Sequence, residues 1–160
     1  MIRKAGENDV GQILHVINYT NQLFYSEIIP KEYFKEPVLS RTELELLLEK
    51  QQFYVYETND VVIGVASLER ISEIDGMVHW VYVLPEYEKR GVGTSLMNAM
   101  EREAKRTGLK TLTLFANAQA HWAIAFYKKL GYETAGNRER LCGEDVIFKK
   151  TVGRLRNVSK

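Results

Sequence analysis

The apolar positions along the chain change their spacing several times, and each change predicts a new element. Residues 10–24 carry apolar side chains at the 3.6-residue spacing of a helix, after a short edge strand in MIRKA. A stretch with two prolines, IIPKEYFKEP, then interrupts the pattern. Ser40 and Glu43 have the spacing of a capping box, which predicts that a second helix begins at this point.

The middle of the chain changes to β-rich runs. These are QFYVYET, VVIGVASLERI and MVHWVYVL. We expect one turn at Asn59 and Asp60 and another around Asp75 and Gly76. Because these connections are short, the three strands are expected to pair in antiparallel fashion.

A crossover unit follows the third strand. Helical spacing from about residue 94 to 107 leads into the strand TLTLFAN, and a strand, helix, strand step implies parallel pairing with MVHWVYVL. A helix over about residues 120–130 and a terminal hairpin complete the pattern. The expected fold is α/β (α+β): a mixed, mostly antiparallel twisted sheet of about six to seven strands flanked by about four helices.

Composition narrows the class of protein. A chain of 160 residues with net charge +1 suits a single domain, which we place at 1–152, with a basic and flexible tail at 153–160. Acidic and basic residues are interspersed, so no nucleic-acid partner is expected. No apolar run predicts a membrane span, and the lone Cys142 agrees with a cytoplasmic location. We predict no metal site, and either a monomer or a homodimer.

The segment EKRGVGTS, residues 88–95, lies between a strand and a helix and combines two glycines with two cations. It lacks the lysine of a P-loop and the third glycine of a dinucleotide fingerprint. Backbone N–H groups at a helix N-terminus can still bind a pyrophosphate, with Lys89 and Arg90 adding positive charge. A tight turn without a ligand is the alternative.

Two motifs at their observed separation resemble the GCN5-related N-acetyltransferases (GNATs). The first is VYVLPEYEKRGVGTSLMNAMEREA, and the second is LTLFANAQAHWAIAFYKKLGY. The resemblance covers roughly residues 61–133 and implies acetyl-CoA as co-substrate and an amine as acceptor. It also implies splayed central strands, with a slot for the thioester between VHWVYVL and TLTLF. The acceptor is left open among small amines, amino acids and protein amines. A non-catalytic acyl-CoA-binding or sensing module is the alternative function.

The resemblance also implies which residues contact coenzyme A. The glycine loop would hold the pyrophosphate, the strand before it would pair with the pantetheine arm, and the second motif would contribute the remaining contacts. The implied set is Val81, Tyr82, Val83, Glu88, Lys89, Arg90, Gly91, Val92, Gly93, Thr94, Ser95, Asn117, Ala120, Ala123, Phe126 and Tyr127. Two positions depart from the family pattern: Glu88 stands where Gln or Arg is usual, and Ala120 stands where an asparagine is frequent. Asn117 or Gln119 is a possible substitute for that asparagine.

Four residues are candidates for the chemistry. In the family, a tyrosine at the position of Tyr127 protonates the departing thiolate; the alternative is an aromatic core residue. His79 is the first choice of general base, since a histidine exchanges protons near neutrality and alternation is expected to put it on the face of Val81 and Val83. The alternative is that the His79 side chain only fills space beside Trp80. Glu73 and Asp75 are further candidates for the base, or simply turn residues.

Overall fold

The computed structural model describes residues 1–153, in which seven strands form one sheet and four helices pack on its two faces. The predicted tail, apart from its first residue, lies outside the described part of the chain. The helices are α1 (Val10–Phe24), α2 (Arg41–Lys50), α3 (Val92–Arg106) and α4 (His121–Lys129). The strands are β1 (Ile2–Lys4), β2 (Gln52–Thr58), β3 (Val61–Arg70), β4 (Asp75–Val83), β5 (Thr111–Asn117), β6 (Glu133–Arg140) and β7 (Gly143–Thr151).

The strand order confirms the expected mixed sheet. It runs β1-β2-β3-β4-β5-β7-β6, with antiparallel pairing everywhere except between β4 and β5. The capping box of α2 is also confirmed, because the Ser40 hydroxyl accepts from the Glu43 N–H at 3.2 Å and the Glu43 carboxylate accepts from the Ser40 N–H at 3.0 Å. The turn at Asn59 and Asp60 forms with both residues at positive φ.

Two boundaries differ from the sequence prediction. The turn before β4 lies at residues 71–74, and Asp75 and Gly76 already belong to the strand. The Ser72 hydroxyl accepts from the N–H groups of residues 74 and 75, which closes the turn one step earlier than expected. Helix α3 begins at Val92, because Gly91 in the left-handed region (φ 81°) serves as its N-cap.

The helices divide between the two faces of the sheet. A Cβ on Gly64 would lie 2.9 Å from Leu96 and 3.0 Å from Val92, so this face of β3 lies directly under α3. On the other face, the ring of Tyr82 in β4 lies 6.3 Å from that of Tyr25 at the end of α1. Both faces of β3 are therefore covered by helices, and residues 62–68 of that strand are all buried.

Candidate active site

The central feature of the site is the separation of two parallel strands. β4 and β5 pair only at Asp75–Thr111, Gly76–Leu112 and Met77–Thr113. Beyond those pairs β5 stays paired with β7 as far as Asn117, and β4 stays paired with β3 as far as Val83. Among the described residues, the edge of β4 that faces β5 therefore has no strand partner after Met77. The splayed central strands that the family resemblance implies are present, and they leave a slot between them.

A β-bulge in β4 decides which side chains face each side of this slot. His79 lies opposite Ser67 and Tyr82 lies opposite Val65, so Ala66 faces two residues of β4. Trp80, at the bulge, has a φ of 54°. Positions 65 and 67 of β3 share a face, so His79 shares its face with Tyr82. The sequence prediction that His79 shares a face with Val83 is wrong. The bulge adds one residue between them, so their side chains lie on opposite faces of the sheet.

The glycine turn presents the N-terminus of α3 at the open end of the slot. Lys89 (φ 60°) and Gly91 (φ 81°) are both left-handed, which folds the chain tightly before the helix. The first helical hydrogen bond runs from the Ser95 N–H to the Gly91 carbonyl at 2.9 Å. The N–H groups of residues 92–94 precede that bond and point out of the helix end, as an anion site requires. Ser95 differs, because its N–H is already used within the helix.

The charged residues of this turn are exposed. The Arg90 guanidinium carbon lies 5.5 Å from the centroid of the Tyr87 ring. Desolvation raises the pKa of Glu88, and the nearby charge of Lys89 opposes that shift. A carboxylate beside two cations leaves this end of the slot with a net positive charge, which suits an anionic ligand.

The wall of the slot on the α3 side is tightly packed. A Cβ on Gly93 would lie 3.1 Å from Cζ and 3.4 Å from Cε1 of Phe126, and 3.8 Å from Cγ2 of Val83. The first turn of α3, the end of β4 and the inner face of α4 therefore meet at Gly93. Ala123, one turn before Phe126 on α4, is half-buried. Glycine is the only residue that leaves this junction unobstructed.

Tyr127 projects from α4 into an aromatic environment. Its ring packs against Phe126 (centroids 5.1 Å apart), Phe148 (5.9 Å) and Tyr132 (6.0 Å), and the residue is 8% exposed. Burial raises the pKa of its phenol above the usual value, with a further contribution from Tyr82. The phenol therefore keeps its proton at neutral pH and can act as a hydrogen-bond donor.

His79 has a carboxylate partner that the sequence did not indicate. Its Nε2 lies 2.8 Å from Oε1 of Glu69, in β3 on the same face. A carboxylate can only accept, so the proton of a neutral imidazole is placed on Nε2 and the lone pair on Nδ1. Both side chains are partly exposed, at 26% and 29%. This arrangement fits a base that is oriented by a second residue.

The other two candidates for the base lie at the closed end of the slot. Asp75 accepts from Ser72 at 3.1 Å and also bonds Thr111, in the region where β4 and β5 are still paired. Glu73 lies exposed in the turn before it, where its carbonyl accepts from Arg70 at 2.8 Å. Val83 follows Asp75 at the other end of β4, roughly 25 Å away along the strand. The structure does not bring these carboxylates to the glycine turn.

The segment between β5 and α4 uses Asn117 to close a turn. Its carboxamide oxygen accepts from the Gln119 N–H at 2.9 Å, and its carbonyl accepts from the Ala120 N–H at 2.9 Å. Ala120 is fully buried as the N-cap of α4. Asn117 is therefore engaged in local structure.

Aromatic rings line the face of the slot opposite α3. Trp122, at the start of α4, packs against Phe24 (5.8 Å) and Tyr25 (5.6 Å) at the end of α1. Tyr25 in turn contacts Tyr82 of β4, whose ring lies 6.4 Å from that of Trp80. Burial raises the pKa of the Tyr25 phenol. We call these five residues the aromatic cluster; it joins α1 to α4 across the slot.

The fold and the splayed strands resemble those of known acetyltransferases, and comparison with known proteins decides the family. The chain matches the model of the acetyltransferase (GNAT) family over residues 17–132. The chain belongs to the GNAT family. Within the described residues of this GNAT protein, no helix is long and apolar enough to cross a membrane, and no three His, Cys, Asp or Glu side chains group as metal ligands.

Individual relatives of this GNAT protein support the same assignment. An uncharacterised N-acetyltransferase of Methanocaldococcus jannaschii is 31% identical over 111 residues, which are 64% of this chain and 49% of that protein. The amino-acid acetyltransferase of Pseudomonas fluorescens is 32% identical over 135 residues, 83% of this chain but 27% of that protein. The chain thus spans about half of the first relative's length and about a quarter of the second's.

A solved structure shares the fold over nearly its full length. The PaiA N-acetyltransferase of Thermoplasma acidophilum, in complex with coenzyme A, superimposes with a TM-score of 0.83 and 22% identity, covering 94% of this chain and 98% of that one. At this identity the likeness establishes the fold, including the seven-stranded mixed sheet.

Proposed function

We propose that this protein is an acetyl-CoA-dependent N-acetyltransferase in which an amine attacks the thioester directly. One observation carries the proposal: among the described residues, the edge of β4 that faces β5 is unpaired beyond Met77, and the slot that this leaves opens at the N-terminus of α3. The names of the relatives, an N-acetyltransferase and an amino-acid acetyltransferase, support it.

The open end of the slot suits the pyrophosphate of coenzyme A. The N–H groups of residues 92–94 would donate to the phosphate oxygens, and Lys89 and Arg90 would add charge. The pantetheine arm would pair with the open edge of β4 at Val81 and Val83, as an added strand pairs with a sheet edge. Phe126 would line the opposite wall.

The oxyanion of the tetrahedral intermediate needs a donor aimed into the slot. The Leu84 N–H donates to the Ile63 carbonyl at 2.8 Å, toward β3. Because successive N–H groups of a strand point to opposite sides, the Val83 N–H points toward β5 and the slot. A preorganised backbone donor of this kind stabilises developing negative charge without reorganisation.

Two side chains would move the protons. The amine must lose a proton to attack, and Nδ1 of His79 would accept it, directly or through a water molecule, while Glu69 stabilises the imidazolium. As the carbon–sulfur bond breaks, the thiolate needs a proton, which the Tyr127 phenol would supply. The phenol is protonated at neutral pH, so its O–H can donate to the sulfur as negative charge develops there.

Two measurements test this proposal together. Isothermal titration with acetyl-CoA measures binding, and thiol release over a panel of amines measures turnover. We expect binding and acceptor-dependent thiol release. Binding with no thiol release on any amine would favour a non-catalytic acyl-CoA-binding module. Absence of binding would contradict both functions and would indicate that the two glycines only form a tight turn.

A further inference from the structure

The β6–β7 hairpin carries a charged cluster that the proposed chemistry does not use. Arg138 and Arg140 are two residues apart in β6 and so share a face, and Asp145 of β7 lies opposite Arg138. Arg138 Nε lies 2.8 Å from Asp145 Oδ2, and Arg140 Nε lies 2.7 Å from the same oxygen. Arg140 Nη2 donates to Oδ1 at 3.0 Å. We call these three residues the arginine pair with its aspartate.

The arginine side chains reach inward, toward the slot. β6 is the edge strand of the sheet, so its side chains are free to extend into solvent. The Arg138 guanidinium carbon instead lies 3.7 Å from the centroid of the Phe115 ring, two strands further in on β5. Asp145 pairs with Asn117 at the end of β5, on the face that also carries Phe115. The guanidinium groups therefore lie over β7 and β5, beside the slot.

The balance of charge in this cluster leaves a site for an anion. Two guanidinium groups face one carboxylate, so the cluster carries one net positive charge. Each guanidinium has five N–H donors, and Asp145 uses only a few of them. The Asp145 side chain is 3% exposed, whereas those of Arg138 and Arg140 are 42% and 40% exposed. The aspartate thus fixes the arginines, and their remaining donors stay accessible.

The charges of the arginine pair with its aspartate also act on the aromatic cluster, which lines the face of the slot opposite α3. The charge of Asp145 contributes to the raised pKa of Tyr25, after burial and the neighbouring tyrosines. The charge of Arg140 acts in the opposite direction on Tyr82, whose pKa is raised by burial. Trp122, which follows β5 closely in the chain, contacts Tyr25. Because Met77 lies opposite Thr113 and His79 shares its face with Tyr82, Phe115 and Tyr82 are on one face of the sheet. The arginine pair and the aromatic rings therefore lie on the same side of the slot.

We propose that the acceptor of this protein is an amine that also carries a carboxylate, of the α-amino acid class, and that Arg138 and Arg140 bind that carboxylate. The inference rests on the proposed N-acetyltransferase function. A guanidinium group can donate two parallel hydrogen bonds to a carboxylate. Because Asp145 already fixes the arginine side chains, little conformational entropy is lost when the carboxylate binds. Purely cationic acceptors, such as polyamines, would meet an unmatched positive charge at this position.

Matched acceptors test the proposal. Each proteinogenic L-amino acid is compared with its own carboxamide, together with spermidine, in thiol-release assays at saturating acetyl-CoA. We expect kcat/KM for the best amino acid to exceed that of its carboxamide by about tenfold or more, as for charge-assisted hydrogen bonds. Equal or faster turnover of the carboxamide or of spermidine would overturn the proposal.

Variants assign the effect to the arginines. Arg140→Gln should lower kcat/KM for the amino acid by about tenfold or more, and leave the carboxamide within about threefold. Arg140→Lys keeps the charge and protects the pairing of Asp145 if the glutamine variant folds poorly. Arg102→Gln, at an exposed position on α3, is the control and should change neither substrate. An equal loss on both substrates would contradict carboxylate recognition.

A binding measurement that needs no turnover tests this inference independently of the proposed function. Isothermal titration of N-acetyl-L-amino acids into the protein loaded with coenzyme A needs no turnover. Preference for the acids over the N-acetyl carboxamides, lost in Arg140→Gln, supports the carboxylate site even if no amine is acetylated. Equal binding of acid and carboxamide, or no binding of either, would overturn the inference whether or not thiol release is observed.

Discussion

Gly93→Ala should separate stability from coenzyme binding. Gly93 is the second residue of α3, and its added Cβ would lie 3.1 Å from Cζ of Phe126 and 3.8 Å from Cγ2 of Val83. The neighbouring contact is the end of a half-buried side chain, so the ring can shift by a few tenths of an ångström. The new methyl group and the shifted Phe126 ring would then narrow the space proposed for the pantetheine arm.

Gly11→Ala is a matched control, because Gly11 is likewise the second residue of its helix, α1. Its Cβ would meet only Arg41 Nη2, at 3.8 Å, an ordinary contact. Alanine is favoured over glycine in helices by up to about 1 kcal/mol, so this variant should gain about 2–4 °C in Tm. In Gly93→Ala, displacement of the Phe126 ring costs about 0.5–1.5 kcal/mol and cancels that gain, leaving Tm nearly unchanged.

The effect on acetyl-CoA should be much larger than the effect on stability. Displacing the ligand from one well-aligned phosphate contact removes a charge-assisted hydrogen bond, about 1.5–3 kcal/mol, so Gly93→Ala should weaken binding by about 10- to 150-fold. Isothermal titration and thermal denaturation of both variants measure the two effects. If Gly93→Ala binds acetyl-CoA within about twofold of the wild type, the close approach of ligand to this backbone is refuted.

Three further changes test other parts of the account. Tyr127→Phe should lower kcat by about 10²-fold or more while acetyl-CoA binding is retained, because only the proton donor is lost; an unchanged kcat would contradict the assignment. His79→Ala should lower kcat/KM by about 10²-fold, with partial recovery at high pH where the amine is already neutral, and an unchanged pH profile would exclude His79 as the base. Hydrogen bonding to Arg3 holds the pKa of Asp9 below its usual value. The ionised Asp9 therefore stabilises the folded state above about pH 4, and this stabilisation is lost as the pH falls through the pKa of the folded state. Asp9→Asn should therefore lower the free energy of unfolding by about 1–3 kcal/mol at pH 7 in urea titrations, with a smaller difference at pH 3; an equal difference at both pH values would refute the linkage.

Local chemistry made much of the fold predictable. The glycine turn, the capping box of α2 and the turn at Asn59 and Asp60 depend on neighbouring residues only, and each formed where expected. The splayed strands were implied by the family resemblance. The start of α3 was predicted two residues late, because the left-handed Gly91 ends the turn and caps the helix at the same time.

The candidate site was less predictable where it depends on contacts between distant strands. The bulge at Trp80 adds a residue that only the pairing with β3 reveals, and it moved His79 to the face of Tyr82. The bond between His79 and Glu69 follows from that register. The spacing of Arg138 and Arg140 is visible in the sequence as a shared strand face, but their inward direction depends on the ring of Phe115 beneath them.

Transfer of an isotopic label tests the central claim most directly. The protein is incubated with acetyl-CoA labelled with ¹³C in the acetyl group and with a panel of amines that includes the amino acids, and the products are analysed by mass spectrometry. The account predicts labelled N-acetyl amino acid from the wild type, and strongly reduced labelling with Tyr127→Phe. Saturable binding of acetyl-CoA without label on any amine would contradict catalysis and leave a module that only binds the coenzyme.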